Sequence, residues 1–129
     1  MNPASEVVKA SRYSYAETLE KLTEAIRAKG NTIFATIDQA AAAQGVGLTL
    51  RPTTLIVFGN PKGGTGLMAA FPLIALDLPL KLVVWEEGGA VKVAYVPMAT
   101  IAARYGVTGQ DEKIGAMDQA LNGLTDTVA

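Results

Sequence analysis

The side chains able to do chemistry in this chain gather around one glycine-rich segment, Phe58-Gly59-Asn60-Pro61-Lys62-Gly63-Gly64-Thr65-Gly66. With Leu76-Asp77-Leu78-Pro79 it punctuates an otherwise apolar middle. Lys62 to Gly66 has the opening of a variant phosphate-binding loop, in which backbone N–H groups wrap the phosphates, a closing Lys meets the charge and a hydroxyl reaches magnesium. Leu67 and Met68 occupy the last two positions, so nucleotide hydrolysis lacks its cation and its metal-holding hydroxyl. The segment then reads as a glycine-rich turn feeding a helix that starts at Gly64. A narrower use survives: that helix N-terminus, with Lys62, holds a small anion or carboxylate without hydrolysing anything.

Five other polar positions and two aromatic ones complete the candidate set. Asp38 closes a strand before an Ala-rich turn, where its carboxylate accepts backbone N–H groups as a cap. Asn60, standing before Pro61, is held extended, and its amide pins the loop through local hydrogen bonds. Asp77 has the same two readings, structural or functional. If Asp38 and Asp77 converge near Asn60, they form a carboxylate pair with one raised pKa, suited to proton transfer. Trp85 and Tyr95 are core residues or else one wall of an apolar pocket whose polar end is Asn60 and Lys62. Glu86 and Glu87 enter a hairpin and read as a solvated tip.

Composition narrows the functions these residues can serve. The chain has 129 residues, 50% hydrophobic and 18% charged, which suits a single domain over residues 1–129. Eleven basic against twelve acidic side chains leave a net charge of -1, so no electrostatic excess favours nucleic acid. Without Cys or His there is no disulfide, thiolate chemistry, common zinc site or imidazole acid/base. No carboxylate spacing compels another metal, and no cofactor is implied. The N-terminal stretch Met1 to Glu6 lacks a basic region followed by an apolar run, so no secretory signal is expected. The longest apolar stretch, Leu67 to Leu76, is too short to span a bilayer. The expectation is a cytoplasmic protein with no membrane partner.

Alternating strands and helices must position the candidates. Val7 to Ser11 reads as a first strand, and Ser14-x-x-Glu17 is a capping box opening a helix with Leu19, Leu22 and Ile26 on one face. Lys29-Gly30 stops it. Thr32 to Asp38 makes a second strand, with Ile33, Ala35 and Ile37 on one face and Phe34 on the other; Gln39 to Gln44 adds a turn or two of helix. Thr53 to Phe58 is an apolar, β-branched strand. Gly64 to Ala75 is helical until Pro72 ends or bends it near Phe71. Leu80 to Glu86 and Ala90 to Val96 flank Glu87-Gly88-Gly89 as an antiparallel hairpin. Pro97 opens a helix with Ile101, Ala102 and Tyr105 on its apolar face, and Asp111 to Val128 closes the chain as a helix. The order β-α-β-β-α-β-β-α-α indicates an α+β fold with a mainly antiparallel sheet.

These residues carry a resemblance. Thr36-Ile37-Asp38-x-Ala40 with Ala43, Leu55-x-x-Phe58-Gly59-Asn60-Pro61-Lys62, Ala75-Leu76-Asp77-Leu78-Pro79-Leu80, Val84-Trp85-Glu86 and Val93-x-Tyr95 together resemble the bacterial domain of unknown function 302 family, from about Val7 to the final helix. The resemblance implies a curved antiparallel sheet with a long helix packed on it, of the TATA-binding-protein-like class, often as a dimer. It implies no DNA binding, because such folds host unrelated functions. The family often has His after the Asp of the second strand, where this chain has Gln39, so a role for that His is closed to it.

Three functional classes stand: a small-ligand-binding or stress-related domain without catalysis, a homodimeric structural or interaction module, and a hydrolase or proton-transfer enzyme using carboxylates. The absence of Cys and His, the incomplete loop motif and the balanced charge favour the first two. The expected ligand-binding residues are Asp38, Asn60, Lys62, Gly64, Asp77, Trp85 and Tyr95, for a small molecule or an anion.

Overall fold

The structure, a computed structural model, describes residues 6–129; Met1 to Ser5, within the stretch expected to carry no secretory signal, lie outside the described residues. The chain forms strands β1 (Val7–Ala10), β2 (Thr32–Asp38), β3 (Thr53–Gly59), β4 (Leu80–Glu87) and β5 (Ala90–Tyr95). Between and after them run helices α1 (Tyr15–Ala28), α2 (Gln39–Gln44), α3 (Pro61–Ala70), α4 (Met98–Arg104) and α5 (Asp111–Asp126), with a 3-10 turn at Pro72–Leu76. The strands make one five-stranded sheet in the order β1-β5-β4-β3-β2, and every neighbouring pair is antiparallel.

Local chemistry explains most boundaries. Ser14 Oγ accepts the Glu17 N–H at 3.1 Å and starts α1, and Gly30, at φ +81°, takes the left-handed conformation that ends it. Gly88 and Gly89, at φ +60° and +81°, make the two-residue turn of the β4–β5 hairpin, whose twist demands positive φ at both positions. Asp118 on α5 accepts the Met98 and Ala99 N–H groups, so α5 caps the start of α4 across a long sequence separation. Lys9 of β1 reaches α5, donating to Asn122 Oδ1 at 2.7 Å and Asp126 Oδ1 at 2.8 Å.

The core lies on one face of the sheet. Ile56, Phe58, Leu82, Val84 and Val93 meet Leu22 and Ile26 of α1, Leu67 of α3, Met98 and Ile101 of α4, and Leu121 and Leu124 of α5. Burying each such side chain is worth about 1.5–3 kcal/mol. Tyr95 joins this core, being only 7% exposed. Trp85 does not: it pairs with Lys92, Val83 pairs with Ala94, and alternation along β5 sends Tyr95 to the opposite face. The expected Trp85–Tyr95 pocket wall therefore does not exist.

One strand departs from its expected faces. In β2, Ile33 pairs with Phe58, but a bulge at Phe34 shifts the register so that Ala35 pairs with Val57 and Ile37 with Leu55. The extra residue flips alternation, placing Ile33 with the core and Ala35 and Ile37 on the other face.

Candidate functional site

Asn60 organises the region where the glycine-rich segment meets the sheet. Its backbone is extended, at φ -120° and ψ 116°, and its Oδ1 accepts the Lys62 N–H at 3.0 Å. Its carbonyl accepts from Gly63 at 2.8 Å and Gly64 at 3.1 Å. Pro61, with no N–H, takes the first helical position, which suits its fixed φ. The helix thus begins at Pro61 rather than Gly64, and Lys62 to Gly66 are helical residues instead of a loop. This corrects the expected turn and leaves nothing of a phosphate-wrapping conformation. The opening amides already have acceptors, so the anion reading loses its backbone donors. Lys62 itself is exposed.

Beside α3 lies a cavity of about 170 Å³, with Phe34, Asn60, Gly64, Met68, Pro79 and Met117 among its walls. Four separate pieces of chain meet there. The β2 bulge delivers Phe34, whose ring edge lies close to Gly59, and α5 delivers Met117. Gly64 keeps the space open, since a Cβ there would stand 3.7 Å from Met68 Cε and 3.9 Å from Leu78 Cδ1. The walls are mostly hydrocarbon, and Asn60 and Thr65 supply the side-chain polarity.

Asp77 stands outside that cavity but next to its wall. Its Oδ2 accepts from Arg104 Nη1 at 2.8 Å and from the Tyr105 hydroxyl, tying the segment before β4 to the end of α4. The Tyr105 hydrogen bond, aided by the Arg104 guanidinium, holds the Asp77 carboxyl below its ordinary range. The same bond to Asp77 pushes the Tyr105 phenol up. The following residues, Leu78 and Pro79, line the cavity, so the tie positions one wall.

Asp38 is elsewhere. It caps α2, accepting the Ala41 N–H at 2.9 Å, and pairs with Thr54 at the start of β3. Asp77 precedes Leu80, which pairs with Phe58 near the other end of β3. Four residues of strand, about 13 Å, separate those two levels, so the carboxylates do not converge. Of the expected site residues the structure brings Asn60 and Gly64 to the cavity, Asp77 to its flank, and leaves Asp38, Lys62, Trp85 and Tyr95 away from it. Sequence reasoning missed Phe34, Met68 and Met117. The first depends on a bulge that no local pattern announces, and the methionines read as ordinary helix-face residues.

The fold is shared with the crystal structure of an uncharacterized conserved protein DUF302 from Bacillus stearothermophilus, at TM-score 0.91 and 20% identity over 98% of this chain and 100% of that one. Among curated proteins, the "Fluoride-specific ion channel FluC 1" of Brucella suis biovar 1 (strain 1330) is 40% identical over 109 residues, 83% of this chain and 43% of that protein. The "Fluoride-specific ion channel FluC 2" of Brucella melitensis biotype 1 matches at the same identity over 40% of its length. The chain thus spans about two-fifths of these relatives. Among the described residues no helix is long and apolar enough to cross a membrane. Residues 7–124 match the family described as "Domain of unknown function DUF302", so that this α+β domain, with its antiparallel sheet and its Asn60-capped helix, belongs to the DUF302 family.

Proposed function

We propose that this domain binds a small, largely apolar molecule in the cavity beside α3. The observation that carries the reading is the coincidence of a cavity of about 170 Å³ with the segment where Asn60, Gly64 and Pro79 meet. Hydrocarbon walls with a few placed polar groups are the usual make-up of a small-molecule site. The volume is close to the roughly 150 Å³ of an engineered apolar cavity that takes benzene, which points to a ligand of about that size. Asn60 Oδ1 is committed to Lys62, leaving the side-chain amide Nδ2 to donate to one acceptor on the ligand. Fluoride, the ion in the relatives' names, would want N–H donors, and the first α3 amides are already bound to Asn60.

Native mass spectrometry of gently purified protein, followed by denaturation and identification of anything released, tests this. Wild type and Gly63→Leu are expected to retain the same small molecule, because a Cβ at Gly63 meets nothing within 4 Å. Gly64→Leu is expected to release it by filling the cavity. Equal retention by both variants, or failure of benzene-sized probes to bind wild type in a thermal-shift panel, would sink the reading.

A second reading, self-association, rests on a different observation: one apolar sheet face that, among the described residues, no helix of the core covers. The carboxylate enzyme reading has no such support, because Asp38 and Asp77 stand at different ends of β3.

A further inference from the structure

The cavity beside α3 has an unpaired cation at its rim. Lys113 stands half-buried on α5, one helical turn before Met117, which forms part of the cavity wall. Its Nζ reaches α3 at Gly66, where a Cβ would stand only 3.0 Å away, so the glycine leaves room for the ammonium. Gly66 directly follows Thr65, another wall residue. Among the described residues Lys113 has no ion pair, whereas Lys9, Arg51 and Arg104 each hold a carboxylate. The Thr65 hydroxyl likewise has no protein partner among them. With the Asn60 amide these make three donors around one hydrocarbon chamber. No acidic side chain lines the cavity, and Asp77, beside the Leu78 and Pro79 wall, is already neutralised by Arg104. The local field therefore favours a negative group.

The walls select the other half of the ligand. Phe34 lines the cavity yet keeps 53% of its surface exposed, so a molecule seated there would cover its ring. Met68 and Met117 stand in the same walls, and methionine sulfur packs well against aromatic rings and adapts to their outline. Resting on the small-molecule reading of this cavity, we infer that the ligand is a small aromatic monocarboxylic acid, its ring against Phe34 and the two methionines and its carboxylate on Lys113 and the Thr65 hydroxyl. A volume of about 170 Å³ is filled by one benzene-sized ring, so the carboxylate projects to the rim. There it keeps part of its hydration, which avoids the cost of burying a charge.

Isothermal titration calorimetry with benzoate and with benzamide, its neutral isostere, tests this. Wild type is expected to bind benzoate about tenfold more tightly, the usual worth of a hydrogen bond between charged groups at a partly exposed site. Added salt is expected to narrow that gap, because a charge at the rim is screened. Lys113→Met, which keeps the apolar stem, is expected to bring benzoate down to the benzamide level while leaving benzamide within about twofold of wild type. Benzamide binding by the variant also reports that its cavity is intact. If neither probe binds wild type, the small-molecule reading falls and this inference falls with it. If benzamide binds wild type as well as benzoate does, or the preference for benzoate survives Lys113→Met, the small-molecule reading stands and the carboxylate assignment alone is overturned.

Discussion

Leu82 and Val83 are adjacent, similarly apolar and on the same central strand, yet Leu82 is completely buried under helices while Val83 faces a side of the sheet that no core helix covers. The whole sheet repeats this contrast. On one face Ile56, Phe58, Val84 and Val93 disappear beneath α1, α3, α4 and α5; on the other Val8, Leu55, Val57 and Trp85 form an aliphatic and aromatic surface of their own. Hydrophobicity alone therefore does not assign an interior. What decides is where the connecting helices land, and in this chain all of the long ones land on one side.

The largest expected effect tests that contrast directly. Leu82→Ala should cost about 2–5 kcal/mol in urea unfolding, because it empties space inside a closely packed core. Val83→Ala, measured at concentrations low enough to keep the chain monomeric, should cost less than about 1 kcal/mol, since it removes little that the single chain buries. Equal costs would mean that something within the chain covers the second face. A smaller effect concerns how the helices are held on the covered face. Asp118→Ala should cost about 1 kcal/mol, as the Met98 and Ala99 N–H groups lose their acceptor. A full exchange of the α4 amides in that variant, with α1 still protected, would show the cap acting locally.

Gly63→Ala should stabilise by about 0.5–1 kcal/mol, because Gly63 is helical and a Cβ there meets nothing within 4 Å. Loss of stability would show that the opening turn of α3 must remain pliant. The smallest effect is on the acid side. Asp77 has a folded pKa below its unfolded one, so its contribution is complete above about pH 4 and is lost as the pH falls through the depressed value. Tyr105→Phe should remove the largest source of that depression and shrink the acid-induced drop in melting temperature, with Asp77→Asn shrinking it further. An acid drop unchanged in both variants would place its origin at other carboxylates.

Much of the architecture was legible in the sequence because its signals are local. Ser14 with Glu17, Gly30 and Gly88-Gly89 act through hydrogen bonds and φ values within a few residues, and each appears where its pattern placed it. The capping role of Asp38 and the extended backbone of Asn60 are legible for the same reason. The start of α3 differs from the local expectation because Gly63 and Gly64 argue for a turn, while Asn60 and Pro61 argue for a helix start three residues earlier, and the cap prevails.

The sequence by itself determined the α+β class, the order of strands and helices, and the family, all of which rest on short-range periodicity, turn chemistry and motif order. Tertiary structure alone decided the rest. A bulge at Phe34 changed which faces β2 presents, the pairing of Val83 with Ala94 separated Trp85 from Tyr95, and the length of β3 kept Asp38 from Asp77. The cavity beside α3 and the open apolar face exist only once distant segments are brought together, because register and packing act between residues that the chain order keeps far apart.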